Sequence, residues 1–123
     1  MKTLFAALSL VALCACASPT APDLAPWSPA YDTDWSAVVA CYEARDFDTS
    51  DTPRPEVVVR DDCRSKYGAQ DFNVGGDTWV HGTYSHGRAV ICPDLAGLRH
   101  ELSHHVAHHV GAENVNGANI CWL

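Results

Sequence analysis

The run Leu95-Ala96-Gly97-Leu98-Arg99-His100-Glu101-Leu102-Ser103-His104-His105-Val106-Ala107-His108-His109-Val110-Gly111 decides how the rest of this 123-residue chain is read. At about 100° per residue, Leu95, Leu98, Leu102, Val106 and Val110 fall on one stripe, which predicts an amphipathic helix with that stripe on the core. Asp94 stands where an N-cap belongs, and Gly111 where a left-handed residue closes a helix. The helix is therefore expected from Leu95 to about Val110. His100 and His104 lie one turn apart on the side opposite the stripe, with Glu101 beside them. His105 and His109 fall toward the flank of the stripe, where packing or surface positions are expected.

Working upstream, Thr78 to Tyr84 and Arg88 to Cys92 flank Ser85-His86-Gly87, a glycine-containing turn, and predict a hairpin. The β-branched run Val57-Val58-Val59, bounded by Pro55 and Asp61, predicts a short strand. Between them, Asp61 to Asp77 has no clear period, with a helical turn expected near Cys63 to Tyr67. Asp46 to Pro55 has the chemistry of a loop. Earlier still, Trp35, Val38, Val39 and Tyr42 follow Asp34 at helical spacing, so an amphipathic helix is expected from Trp35 to Arg45, capped by Asp34. The expected class is α+β: an N-terminal helix, a small, mostly antiparallel sheet with an edge hairpin, and a C-terminal helix. Trp35, Trp79 and Trp122 are expected in the core.

The N-terminus has a different character. Lys2 precedes an apolar run from Leu4 to Ala15, too short for a permanent membrane span but laid out as a secretory signal peptide. Leu13-Cys14-Ala15-Cys16 resembles a bacterial lipobox, which implies acylation at Cys16 and a membrane contact through that anchor. Ala17 after the anchor then favours retention at an outer membrane. Ordinary cleavage before Ser18 is the alternative, giving a secreted protein. Residues 16–31, with Pro19, Pro22, Pro26 and Pro29, read as a tether, and 32–123 as one folded domain. Cys41, Cys63, Cys92 and Cys121 remain and predict two disulfides, as suits a small exported domain. Cys41–Cys63 with Cys92–Cys121 is the pairing expected from neighbouring segments. A formal charge of −7 with scattered basic residues offers no stripe to neutralise phosphates, so nucleic acid is not an expected partner.

The chemistry rests on His100-Glu101-Leu102-Ser103-His104. Imidazoles at i and i+4 can bind one zinc ion at about 2.0–2.1 Å, and a carboxylate at i+1 lies close enough to take a proton from zinc-bound water. The motif lies mid-helix, opposes the apolar stripe and follows a hairpin. In this it resembles the zincin metallopeptidases, over roughly Val57 to Val110, with residue-level matching confined to the motif. The resemblance implies a minimal zincin-like domain with Zn²⁺ as cofactor and His100 and His104 as ligands. It further implies Glu101 as general base, a peptide or protein as substrate, and His81, Tyr84 or His108 available to stabilise the oxyanion.

A third ligand is needed. Ala107 and Val110 stand where a metzincin has glycine and histidine. His108 lies about 12 Å of helical rise from His100, too far for a shared ion. Glu113 is the expected third ligand, because Gly111 lets the chain turn back along the helix; His81 and His86 are the alternatives. Five histidines between positions 100 and 109 also support a second class of function, a non-catalytic metal-binding lipoprotein.

Overall fold

The computed structural model describes residues 26–66, 68–112 and 121. The expected signal peptide, the lipobox-like Cys16, Glu113 and Trp122 lie outside these. A 3-10 turn at Pro29–Tyr31, capped by Ser28, runs directly into helix α1, Asp32–Glu43. The helix thus starts three residues before the expected Trp35. Asp34 is not its cap: it sits in the first turn, and its carboxylate accepts from Arg99 at 2.9 Å (Nε). Trp27 stacks edge-on against both Tyr31 and Trp35, and its indole N–H donates to Asp32 at 2.7 Å.

Among the described residues, six short strands form two three-stranded sheets. The first has the order β1 (Glu56–Val59), β6 (Arg88–Ile91), β5 (Gly82–Ser85), and the second β2 (Arg64–Ser65), β3 (Gln70–Gly75), β4 (Thr78–Val80). The expected single, mostly antiparallel sheet is thus replaced by two, of which the first is mixed: β1 runs parallel to β6, and β5 antiparallel to it. The expected strand Thr78 to Tyr84 breaks at His81, where the chain leaves one sheet for the other. Near Cys63 there is the short strand β2 in place of a helical turn. The β5–β6 hairpin holds. His86 and Gly87 both take left-handed φ (49° and 76°), the two-residue turn whose twist matches paired strands.

Parallel pairing explains the disulfides. The C-terminal ends of two parallel strands lie side by side, with Val59 opposite Ile91, so the cysteines that follow, Cys63 and Cys92, meet and bond. Cys41 on α1 is then joined to Cys121. The expected Cys41–Cys63 and Cys92–Cys121 pairing is therefore corrected. Sequence proximity was the wrong guide because the partner strand is distant along the chain.

Helix α2, Leu98–Val110, starts three residues later than expected. Leu95 has φ 59°, incompatible with a helix, and Asp94 ties the preceding loop to β3 by accepting from Gln70 N–H at 2.8 Å. Gly111 closes the helix as expected, with φ 73° and closing bonds from Gly111 to His108 and from Ala112 to Ala107. The predicted stripe is the core: Leu98, Leu102 and Val106 are fully buried against Val38 and Tyr42 of α1, Val57 and Ile91. Tyr42 reaches across to Ser103, its hydroxyl 3.2 Å from both the carbonyl and the Oγ. Helix α2 contacts α1 as well as the β5–β6 hairpin. Trp35 packs on this core, whereas Trp79 stands in the second sheet beneath the Lys66 ammonium. Among the described residues no helix is long and apolar enough to cross a membrane.

Candidate metal centre

Burial of the leucine stripe turns the other side of α2 toward strand β5 and a cavity. The i, i+4 spacing brings His100 Nε2 within 3.1 Å of His104 Nε2. Two nitrogen ligands of a tetrahedral ion at ordinary zinc distances stand about 3.3 Å apart, so the separation suits shared coordination. Burial, with the charge of His104 second, holds the His100 pKa below its usual value. That favours the neutral imidazole a metal requires. With Glu101 these residues form a group able to hold a metal ion, the ligand atoms all lying within 4.8 Å of one another.

Glu101 is 4% exposed, and burial pushes its carboxyl up to about 7. Its position depends on Gly82. A Cβ built there would stand 2.8 Å from Glu101 Cγ and 2.9 Å from Oε1, so any side chain on this residue would push the carboxylate out of its place. Gly97 has a related part: a Cβ there would lie 2.7 Å from the His81 carbonyl oxygen, so the start of α2 rests directly on the β4–β5 junction. A lone glycine inside a strand pattern is a sequence signal for such close approach. Gly82 carries that signal. The cavity beside these groups, about 690 Å³, is lined by His81, Gly82, Leu95, Gly97, His100 and Glu101, among others.

His104 is braced from the side. The Tyr84 ring on β5 lies parallel to the His104 ring, 2° apart in plane with centroids 6.2 Å apart. Its hydroxyl accepts from Gly87 N–H at 3.2 Å and meets His105 Nδ1 at 3.1 Å. His105 is buried, as expected of a packing residue, and Nε2 contacts the Pro53 carbonyl at 2.6 Å. A carbonyl only accepts, so Nε2 carries the proton, Nδ1 accepts, and the Tyr84 hydroxyl donates to it. Burial lowers the His105 pKa, which keeps this arrangement neutral.

The remaining sequence candidates separate. His81 lines the cavity but contributes no atom to the metal group. His86 sits exposed at the hairpin turn, bonded to Ser85. His108 is exposed and edge-on to His109. Glu113 lies outside the described residues. Among the described residues, Glu101 alone joins the two histidines within ligand reach. The chain matches no family model, and neither curated proteins nor solved structures provide a match to it. The site's geometry and chemistry therefore carry the functional reading.

Proposed function

We propose that this protein is an exported zinc-dependent hydrolase of the zincin type that cleaves peptide bonds. The observation that carries the reading is the buried Glu101 carboxylate beside two imidazoles at ligand spacing, on the wall of a cavity. A structural carboxylate gains nothing from that position, since burial without a partner is unfavourable. A general base with a pKa near neutrality gains from it directly.

A bound zinc ion would polarise a substrate carbonyl and make water acidic enough to lose a proton near neutral pH. His100 and His104 would hold the ion, with Glu113 the proposed third ligand. Glu101 takes the proton from the attacking water and returns it to the departing amine. Tyr84 keeps the His104 ring in place. Strand β5, an outer strand of its sheet beside α2, offers backbone along which an extended peptide can lie. Two disulfides suit an extracytoplasmic compartment. A signal peptide and lipid anchor at Cys16 complete the proposal.

Metal analysis of protein folded under oxidising conditions tests the first half, with one zinc per chain expected and none in His104→Ala. Glu101→Gln tests the second. It should keep zinc and lose hydrolysis of a quenched peptide pool, whereas a metal-carrying lipoprotein would be indifferent to it. A folded chain that takes up no zinc overturns both readings.

A further inference from the structure

His81 stands where β4 ends and β5 begins, on the wall of the cavity that also holds His100 and Glu101. Behind it, Asp71 in β3 is only 1% exposed, and its carboxylate meets His81 Nδ1 at 2.6 Å. The carbonyl oxygen of Gln70 lies 3.3 Å from the same nitrogen. Two acceptors on one nitrogen require that this nitrogen carry hydrogen, because a lone pair there would face two oxygen atoms. In its neutral form the ring is therefore held as the Nδ1–H tautomer and presents a lone pair at Nε2. Free histidine side chains prefer the opposite tautomer, so the buried carboxylate imposes this one. The His81 side chain is 46% exposed and stands apart from the metal group, which points to contact with a ligand in the cavity and not with the ion.

We propose that His81 is a substrate-binding residue whose Nε2 accepts a hydrogen bond from a backbone N–H of a bound peptide, and that Asp71 is the positioning residue that keeps the ring in its accepting form. The inference rests on the hydrolase reading above and adds what the substrate must present. An extended chain lying along β5 turns alternate N–H groups away from the strand, and those need an acceptor elsewhere. His81, at the start of β5, provides one. The substrate class is a peptide with a hydrogen on that one nitrogen. Proline or an N-methyl residue there leaves Nε2 unpaired and costs about tenfold in kcat/KM, the scale of one half-exposed hydrogen bond.

Two measurements test this. Two-bond proton–nitrogen correlation spectra of the 15N-labelled, zinc-loaded protein at pH 8 read each imidazole tautomer. His81 should show protonated Nδ1 and bare Nε2, and Asp71→Asn, with zinc stoichiometry as its check of folding, should shift the ring toward the Nε2–H form. An Nε2–H ring in the unmodified protein, or no shift in Asp71→Asn, overturns the assignment. In the second measurement, a peptide cleaved from a quenched pool is resynthesised with an N-methyl group at each position in turn. One position should lose about tenfold, and His81→Ala should erase that discrimination while zinc stays bound. Cleavage with the same discrimination in His81→Ala overturns the inference alone. A pool left intact by the zinc-loaded protein overturns the hydrolase reading and the inference with it.

Discussion

Replacing Glu101 by glutamine should favour the metal-free protein more at high pH than at low pH. Burial raises the carboxyl from an ordinary 4.5 to about 7, so the folded chain holds a proton that the unfolded chain has already released across that interval. Stability contributed by the protonated group is fully present below about pH 4.5 and is lost as pH rises to about 7. Each pH unit of the interval is worth about 1.4 kcal/mol, so the ionised carboxylate costs the fold about 3 kcal/mol at pH 8. A domain of this size turns that into roughly 10–20 °C of Tm. Glutamine cannot ionise and escapes the penalty. His100 and His105 titrate in the opposite sense, their lowered pKa values weakening the fold on the acid side, but they are common to both proteins. Urea unfolding of both proteins at pH 4 and pH 8, with excess chelator, isolates the effect as a difference of differences. The fixed cost of burying an amide cancels in that comparison. A stability gap that is the same at both pH values would refute the claim that Glu101 is held ionisable in a dry site.

Gly82→Ala should leave zinc stoichiometry intact and lower kcat at least tenfold, because the new methyl displaces the Glu101 carboxylate; single-turnover kinetics with a cleaved peptide checks this. Tyr84→Phe keeps the ring beside His104 but removes the hydroxyl bonded to His105 and Gly87. Zinc affinity by chelator competition should fall about tenfold, the lower end for a partner that orients a ligand. Replacing Cys63 and Cys92 together by alanine opens a bridge of sequence separation 29 and should cost about 3–4 kcal/mol in urea unfolding. Leu102→Ala, at the centre of the buried stripe, should cost about 2–5 kcal/mol by the same assay.

The outcome for α2 shows what local periodicity can carry. The leucine and valine stripe, the opposing histidines and the closing Gly111 are all local facts, since a helix repeats within four residues and its faces follow from spacing. The metal-capable trio was legible for the same reason. Where the helix begins was not, because Leu95 takes a left-handed backbone next to an Asp94 that is tied to β3 from elsewhere in the chain. The class, the hairpin turn and the presence of two disulfides were likewise readable from composition and turn chemistry.

Tertiary structure alone decided the rest. The pairing of β1 with β6 joins segments about thirty residues apart in a parallel sense that no local pattern encodes, and the disulfide partners follow from it. The break at His81, the glycine beneath Glu101, the carboxylate of Asp71 behind His81 and the Tyr84–His105 brace all depend on strands meeting a helix from elsewhere in the chain. Sequence determines which side chains share a face, because that is geometry within one element. Which groups lose their water, and which tautomer or charge they must then carry, depends on how the elements meet.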